Sequence, residues 1–176
     1  DHGAMFGALQ FYEAGVAAGV KPIVGVETYV APTSRFERAP GESEEKYRHL
    51  TILARNETGY RNLLKLVTDA HLEGFYHRPR VDKELLAEHG EGLIGLSGAH
   101  AGDVGAALLQ GNLPVAERLA REWAAAFPDA YYLELQRAGA PQSEAYVAAA
   151  LELAGRTGLP VVATHPVQFL EPAEFK

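Results

Sequence analysis

Cysteine is absent from this chain of 176 residues. Disulfide stapling and thiolate metal sites are therefore excluded, and a metal would have to be held by imidazole or oxygen ligands. No apolar run approaches the roughly 18 residues that span a bilayer as a helix, and the N-terminus carries no secretory pattern. A basic surplus is lacking as well, because 23 acidic residues against 16 Lys and Arg leave a formal net charge of −7. Binding to a nucleic-acid backbone needs a local excess of Lys and Arg. The only dense basic stretch is His77-Arg78-Pro79-Arg80, which reads as a solvated loop. The rest of the composition, 47% hydrophobic and 22% charged, suits a single globular domain, and a bacterial-type cytosolic protein fits as an extracellular one also would.

Helical and strand periods alternate along the chain. Ala4 to Ala18 carries Met5, Leu9, Tyr12 and Val16 at helical spacing, ended by Gly19. Lys21 to Val30 is β-branched and apolar and predicts a buried strand. Pro32 to Glu45 is polar, contains Pro40-Gly41, and predicts an exposed loop. Tyr47 to Ala54 predicts a second strand, followed by a helix entered at Asn56 with Leu63, Leu64, Leu66 and Val67 on one face. Asp82 is expected to cap a short helix bearing Leu85 and Leu86, and Asp103 a helix reaching Gly111. Between them Gly92 to Ser97 predicts a third strand. Leu113 to Ala126 predicts a helix with Trp123 and Phe127 toward the core. Tyr131 to Leu135, Pro141 to Arg156 and Leu159 to Thr164 predict strand, helix and strand. Such alternation predicts parallel strands with crossover helices, an α/β sheet or barrel.

The polar residues that interrupt these patterns fall mostly at strand ends: Asp1-His2, Glu27, His49, Ser97 to His100, Glu134 and His165. In parallel α/β folds the carboxyl ends of the strands form the face on which sites are built. His2, Glu27 and His49 supply the imidazole and carboxylate donors that borderline and hard divalent metals take. Glu27 interrupts an apolar strand, where an unpaired carboxylate is costly to bury. The alternative for Glu27 is a salt bridge to an arginine such as Arg35. His49 lies in an apolar alternation that suits a hydrogen-bonded core histidine as well as a ligand. Glu134 could face a barrel interior or solvent. His71, His77 and His89 are assigned no role. Nucleophile-elbow, Walker and dinucleotide-binding patterns are all missing.

Taken in order, Asp1-His2-Gly3 with Phe6-Gly7, Gly19 to Glu27, His49 to Ala54, Gly59 to Leu63, Glu73-Gly74-Phe75-Tyr76, Pro79 to Asp82, Glu91 to Ile94, Leu96-Ser97-Gly98, Tyr131 to Gln136 and Val162-Ala163-Thr164 resemble one family. It is the polymerase-and-histidinol-phosphatase (PHP) domain at the N-terminus of bacterial replicative DNA polymerase III alpha subunits. The resemblance covers nearly the whole chain. It implies an α/β fold, a distorted (β/α)7 barrel, incomplete here: residues 1–176 are expected to be a partial PHP domain lacking its N-terminal strand and paired-histidine motif. It also implies a site of up to three ions, zinc or manganese, at the strand ends, hydrolysing phosphoesters and in some members acting as a 3′–5′ exonuclease. Within that pattern His2, Glu27 and His49 match ligand positions, possible vestiges of the full set.

The sequence departs from the family at other ligand positions. Ala99 stands where metal-binding members carry cysteine, Ala138 and Gln168 where they carry histidine, and Pro166 where they carry aspartate. Alanine and proline side chains cannot ligate a metal. His100 or His165 could stand in, His100 only with a backbone shift because it lies one residue from the lost position. The second half resembles members in which the domain is a scaffold for a separate proofreading exonuclease subunit. The expected function is thus a structural and docking domain with a degenerate metal site, in a parent DNA-directed DNA polymerase (a nucleotidyltransferase of DNA replication) that uses magnesium. The alternative is an active metal-dependent 3′–5′ exonuclease or phosphoesterase. A stand-alone phosphatase of the family is disfavoured by Gly59 to Leu63 and Phe75 to Asp82, which look specific to polymerase members. Implied partners are the remainder of the alpha chain, the proofreading subunit, the replisome, and DNA through other domains, in the cytoplasm and with no membrane.

Overall fold

The structure, a computed structural model, describes residues 1–38, 47–137, 139 and 141–167. Ala138, Gln168 and the second half of the loop expected over 32–45 lie outside the described residues. Helices and strands follow in the order α1 (Ala8–Ala17), β1 (Gly25–Val30), β2 (Arg48–Ala54), α2 (Glu57–Leu72), β3 (Arg80–Val81), α3 (Lys83–Glu88), β4 (Leu93–Leu96), α4 (Asp103–Leu109), α5 (Leu113–Ala126), β5 (Tyr131–Gln136), α6 (Ser143–Thr157) and β6 (Val161–Thr164). The result is a mixed α/β fold around a six-stranded sheet ordered β3-β1-β2-β4-β5-β6, consistent with a partial barrel.

Local chemistry explains most boundaries. Asn56 opens α2 by accepting from Gly59 N at 2.9 Å, and Asp82 opens α3 by accepting from Leu85 N at 3.0 Å. Helix α6 ends on Gly158, whose φ of 74° suits a residue without Cβ. Asp103 differs from expectation. Gly102 is the cap of α4, and the Asp103 carboxylate instead accepts the indole N–H of buried Trp123 at 2.9 and 3.0 Å. A buried indole needs an acceptor, and that requirement outweighs the cap.

Strand direction corrects the expectation of an all-parallel sheet. Strand β2 runs antiparallel to both β1 and β4, whereas β1–β3, β4–β5 and β5–β6 are parallel. A parallel neighbour needs a crossover, usually a helix that covers the sheet. The polar segment after β1 has no apolar helical period, so β2 returns beside β1. Within β1, Val26, Thr28 and Val30 are buried while Glu27 and Tyr29 are half-buried. In β2 the buried residues are Leu50 and Ile52. Because Cβ atoms alternate along a strand, the buried set packs on Leu63, Leu66 and Ala70 of α2. Glu27, Tyr29, His49 and Thr51 share the opposite face.

One expected element forms but stands uncovered, and one further expectation fails. Helix α1 forms, yet none of its residues is buried, and Leu9, Tyr12 and Val16 are half or more exposed. Helical spacing reports that a face is apolar, not that another element covers it. The stretch read as a solvated loop is anchored by Arg80, which is fully buried. Its Nε donates to Gly74 O at 3.0 Å, and its Nη2 donates to the carbonyls of Arg35 and Glu37 at 2.8 Å each. The guanidinium also stands over the rings of Tyr47 and Tyr76.

Candidate metal centre

Residues His2, Glu27 and His49 come from three separate stretches and meet at one end of the sheet. The N-terminal stretch runs along β1 in parallel: Glu27 N donates to Asp1 O at 3.1 Å and Gly3 N to Glu27 O at 2.8 Å. That ladder fixes His2 beside Glu27. His49 enters from the start of β2. Because β2 is reversed, its beginning lies at the same end of the sheet as the carboxyl ends of β1 and β4. Tight backbone contacts hold it there, since a Cβ on Gly98 would fall 2.3 Å from His49 O and one on Gly102 3.2 Å from the same atom. Only glycine fits at position 98, where φ is also +72°.

His49 Nδ1 lies 2.5 Å from Glu27 Oε1, and His2 Nδ1 lies 3.7 Å from the same oxygen. The hydrogen bond from His49 holds the Glu27 carboxyl below the ordinary carboxylate range. Burial opposes this shift, and the neighbouring His2 adds to it. Side-chain exposures of 58% for His2, 34% for Glu27 and 25% for His49 leave the group open to solvent and to an incoming ligand. Glu27 therefore does not pair with Arg35, the alternative weighed from the sequence. Arg35 binds Asp82 and Glu73 instead, at 3.0 Å each.

Ligand-capable atoms of the three residues all lie within 4.8 Å of one another, and this is the only such group of His, Asp and Glu among the described residues. His100 and His165 fall outside it. Ala99, which the sequence resemblance sets at a ligand position of the family, is buried in the apolar core and offers no donor. Glu134, left open between interior and solvent, is buried. Its carboxylate accepts from Gly98 N at 3.1 Å, Gln136 Nε2 at 3.1 Å and Thr164 Oγ1 at 2.5 Å, so it ties β4, β5 and β6 together.

Spacing decides whether the donor set fits a metal. Two ligands of one tetrahedral zinc, bonded at about 2.0–2.1 Å, sit roughly 3.3 Å apart. The His2–Glu27 separation is close to that value. The shorter His49–Glu27 contact holds a proton, so a metal would displace it and part the two side chains by about 1 Å or less. Two imidazoles and one carboxylate thus fit a single ion with open positions, and fall short of a three-ion cluster.

Tyr29 is the neighbour that sequence reasoning missed. Its ring centre lies 5.2 Å from that of His49 and 6.5 Å from that of His2. The signal was available, because Tyr29 stands two residues from Glu27 on the same strand face.

An α/β domain carrying an imidazole–carboxylate group on one face of its sheet is the kind of protein defined by this fold and site. Residues 1–138 match the PHP domain, and the chain belongs to that family. Its relatives include the DNA polymerase III subunit alpha of Treponema pallidum (strain Nichols), 48% identical over 172 residues, which is 97% of this chain and 15% of that protein. The Thermus aquaticus subunit is 45% identical over 166 residues, covering 94% and 14%. The subunit of Escherichia coli (strain K12) is 42% identical over 176 residues, covering 99% and 14%. The chain therefore spans about one-seventh of the length of these relatives. No helix among the described residues is long and apolar enough to cross a membrane.

Proposed function

We propose that this chain is the PHP part of a DNA polymerase III alpha polypeptide and serves there as a structural and docking domain with a reduced metal site. The observation that carries this reading is Ala99, packed into the apolar core at a family ligand position. Pro166 likewise brings no ligand, and the distorted (β/α)7 barrel of the family is the architecture into which the sheet would fit. The parent would perform DNA-directed DNA synthesis with magnesium in the cytoplasm. Its partners would be the remainder of the alpha chain, a proofreading exonuclease subunit and the other replisome proteins, with DNA held by other domains.

His2, Glu27 and His49 would retain one ion, zinc or manganese, whose chemistry when bound is to polarise a phosphoryl oxygen and lower the pKa of water. Glu27, held ionised by His49, supplies the negative ligand, and the two imidazoles orient around it. A second reading, an active 3′–5′ exonuclease or phosphoesterase, is favoured by the assembly and openness of this trio.

Elemental analysis and end-labelled single-stranded DNA cleavage on the full-length polypeptide separate the two. The scaffold reading expects at most one ion per chain at this site and no chelator-sensitive cleavage. Two or more tightly bound ions, with cleavage abolished by His49→Ala, would overturn it in favour of the nuclease.

A further inference from the structure

The basic stretch His77-Arg78-Pro79-Arg80 lies beside the His2, Glu27 and His49 group. Buried Arg80 anchors its end, as described above. Tyr76 and Arg78 pair in an isolated antiparallel bridge, and His77 between them has a φ of 60°. Left-handed backbone at a residue with a side chain is strained and recurs at functional sites. This tight turn presents His77 and Arg78, both exposed. Pro79 fits against Gly3: a Cβ there would fall 2.8 Å from Pro79 Cγ and 3.1 Å from Tyr29 Cε2. The turn is thus seated on the residue that follows His2. The Arg78 guanidinium carbon stands 5.7 Å from the centre of the Tyr29 ring, the same ring that packs on His49 and His2.

We infer that Arg78 is an anion-binding residue of this centre, its guanidinium held over Tyr29 to take a phosphate oxyanion of a phosphoester seated against His2, Glu27 and His49. A phosphate approaching the trio meets the Glu27 carboxylate on a chain of net charge −7, so a local cation is needed to offset the repulsion. The planar guanidinium pairs with phosphate through two parallel hydrogen bonds, and stacking on an aromatic ring pre-orients it. The inference rests on the metal-site reading for where the phosphate sits, while the charge of Arg78 acts with or without an ion.

Inorganic phosphate is titrated calorimetrically into the full-length polypeptide, with Mn²⁺ and again after chelation, for wild type, Arg78→Ala and Arg78→Lys. Bound Mn²⁺ is counted in each protein by elemental analysis. Phosphate sites elsewhere in the polypeptide persist in every variant, so the component that depends on Arg78 is the readout. The expected result is a loss of about tenfold or more in Arg78→Ala, partial recovery in Arg78→Lys, and unchanged Mn²⁺ content. Displacement of that phosphate by a short oligothymidylate would assign the ligand to a nucleic-acid strand. Lack of displacement would assign it to small phosphoesters, and both outcomes keep the requirement for Arg78. An affinity in Arg78→Ala within about twofold of wild type, in both the metal-loaded and the chelated protein, overturns the assignment. Should wild type retain no Mn²⁺, the metal-site reading falls, and the chelated titration alone decides the role of Arg78.

Discussion

Glu27 and His49 meet diagonally across the β1–β2 ladder. Tyr29 is the direct partner of His49 and Thr51 that of Glu27, yet His49 Nδ1 reaches Glu27 Oε1 at 2.5 Å. Diagonal pairs on an antiparallel face are within reach of long side chains. The contact pairs a carboxylate with an imidazole on the part-exposed face of the sheet.

Replacing Glu27 with Gln keeps the shape and removes the charge. Loss of an outer-shell partner alone weakens metal binding about 10–100-fold, so loss of this direct donor should weaken Mn²⁺ or Zn²⁺ retention by at least that much. Equilibrium dialysis with elemental analysis measures it, and unchanged retention would remove Glu27 from the site.

Arg35 and Asp82 form a buried pair, and Asp82 also caps α3. Arg35→Met leaves the carboxylate buried without its cation and is expected to cost about 3–5 kcal/mol. The double variant Arg35→Met/Asp82→Asn should cost clearly less than the two single losses added, as urea denaturation would read. Simple additivity would show that the two side chains do not support each other.

Gly59→Ala sets two effects in opposition. Alanine favours a helix over glycine by about 1 kcal/mol. Here, however, a Cβ would fall 1.8 Å from Gly92 O, forcing α2 away from the turn before β4. Backbone displacement of that kind costs about 1–3 kcal/mol. The melting temperature should therefore fall, and a rise would show that α2 and the Gly92 turn are not in such close contact.

Two buried tyrosines should respond oppositely to loss of the hydroxyl. Burial pushes the Tyr131 phenol well above its usual range, and its hydroxyl finds no hydrogen-bond partner among the described residues. Burial raises Tyr146 to about 12, but its hydroxyl donates to Glu134 O at 2.6 Å. Tyr131→Phe should be neutral or stabilising, whereas Tyr146→Phe should cost about 1 kcal/mol or more. Thermal melts of the two variants against wild type test the contrast.

On α5, Glu122 accepts hydrogen bonds from Lys83 and Arg118, and the Lys83 bond first of all holds its carboxyl below the ordinary range. A carboxyl depressed in the folded state contributes stability above its unfolded pKa, and that contribution disappears as pH falls through the folded value. Wild type should melt slightly above Glu122→Gln at neutral pH. The two should converge well below the usual carboxylate range, and the neutral-pH gap should shrink in high salt. A gap that widens on acidification would contradict the assignment.

Much of the fold was legible in the chain. Helix α5 spans Leu113–Ala126 as read from the sequence, and β2, β4, β5 and α6 lie within about two residues of expectation. These signals are local: a cap, a period and a breaker all fall inside one segment. Two-residue β3 was missed because so short a strand has no period to detect. Arg80 misled because charge suggests solvent, while two of its three carbonyl acceptors, on Arg35 and Glu37, lie more than forty residues away in sequence.

Donor chemistry singled out His2, Glu27 and His49 from residue types alone, since a carboxylate interrupting an apolar strand demands a partner wherever the strand lies. Whether those side chains meet was a tertiary matter. It required β2 to run antiparallel, the first residues to ladder onto β1, and Gly98 to admit the backbone of His49. Strand direction and register depend on pairing between residues 18 to 28 positions apart, and no period within one segment encodes them.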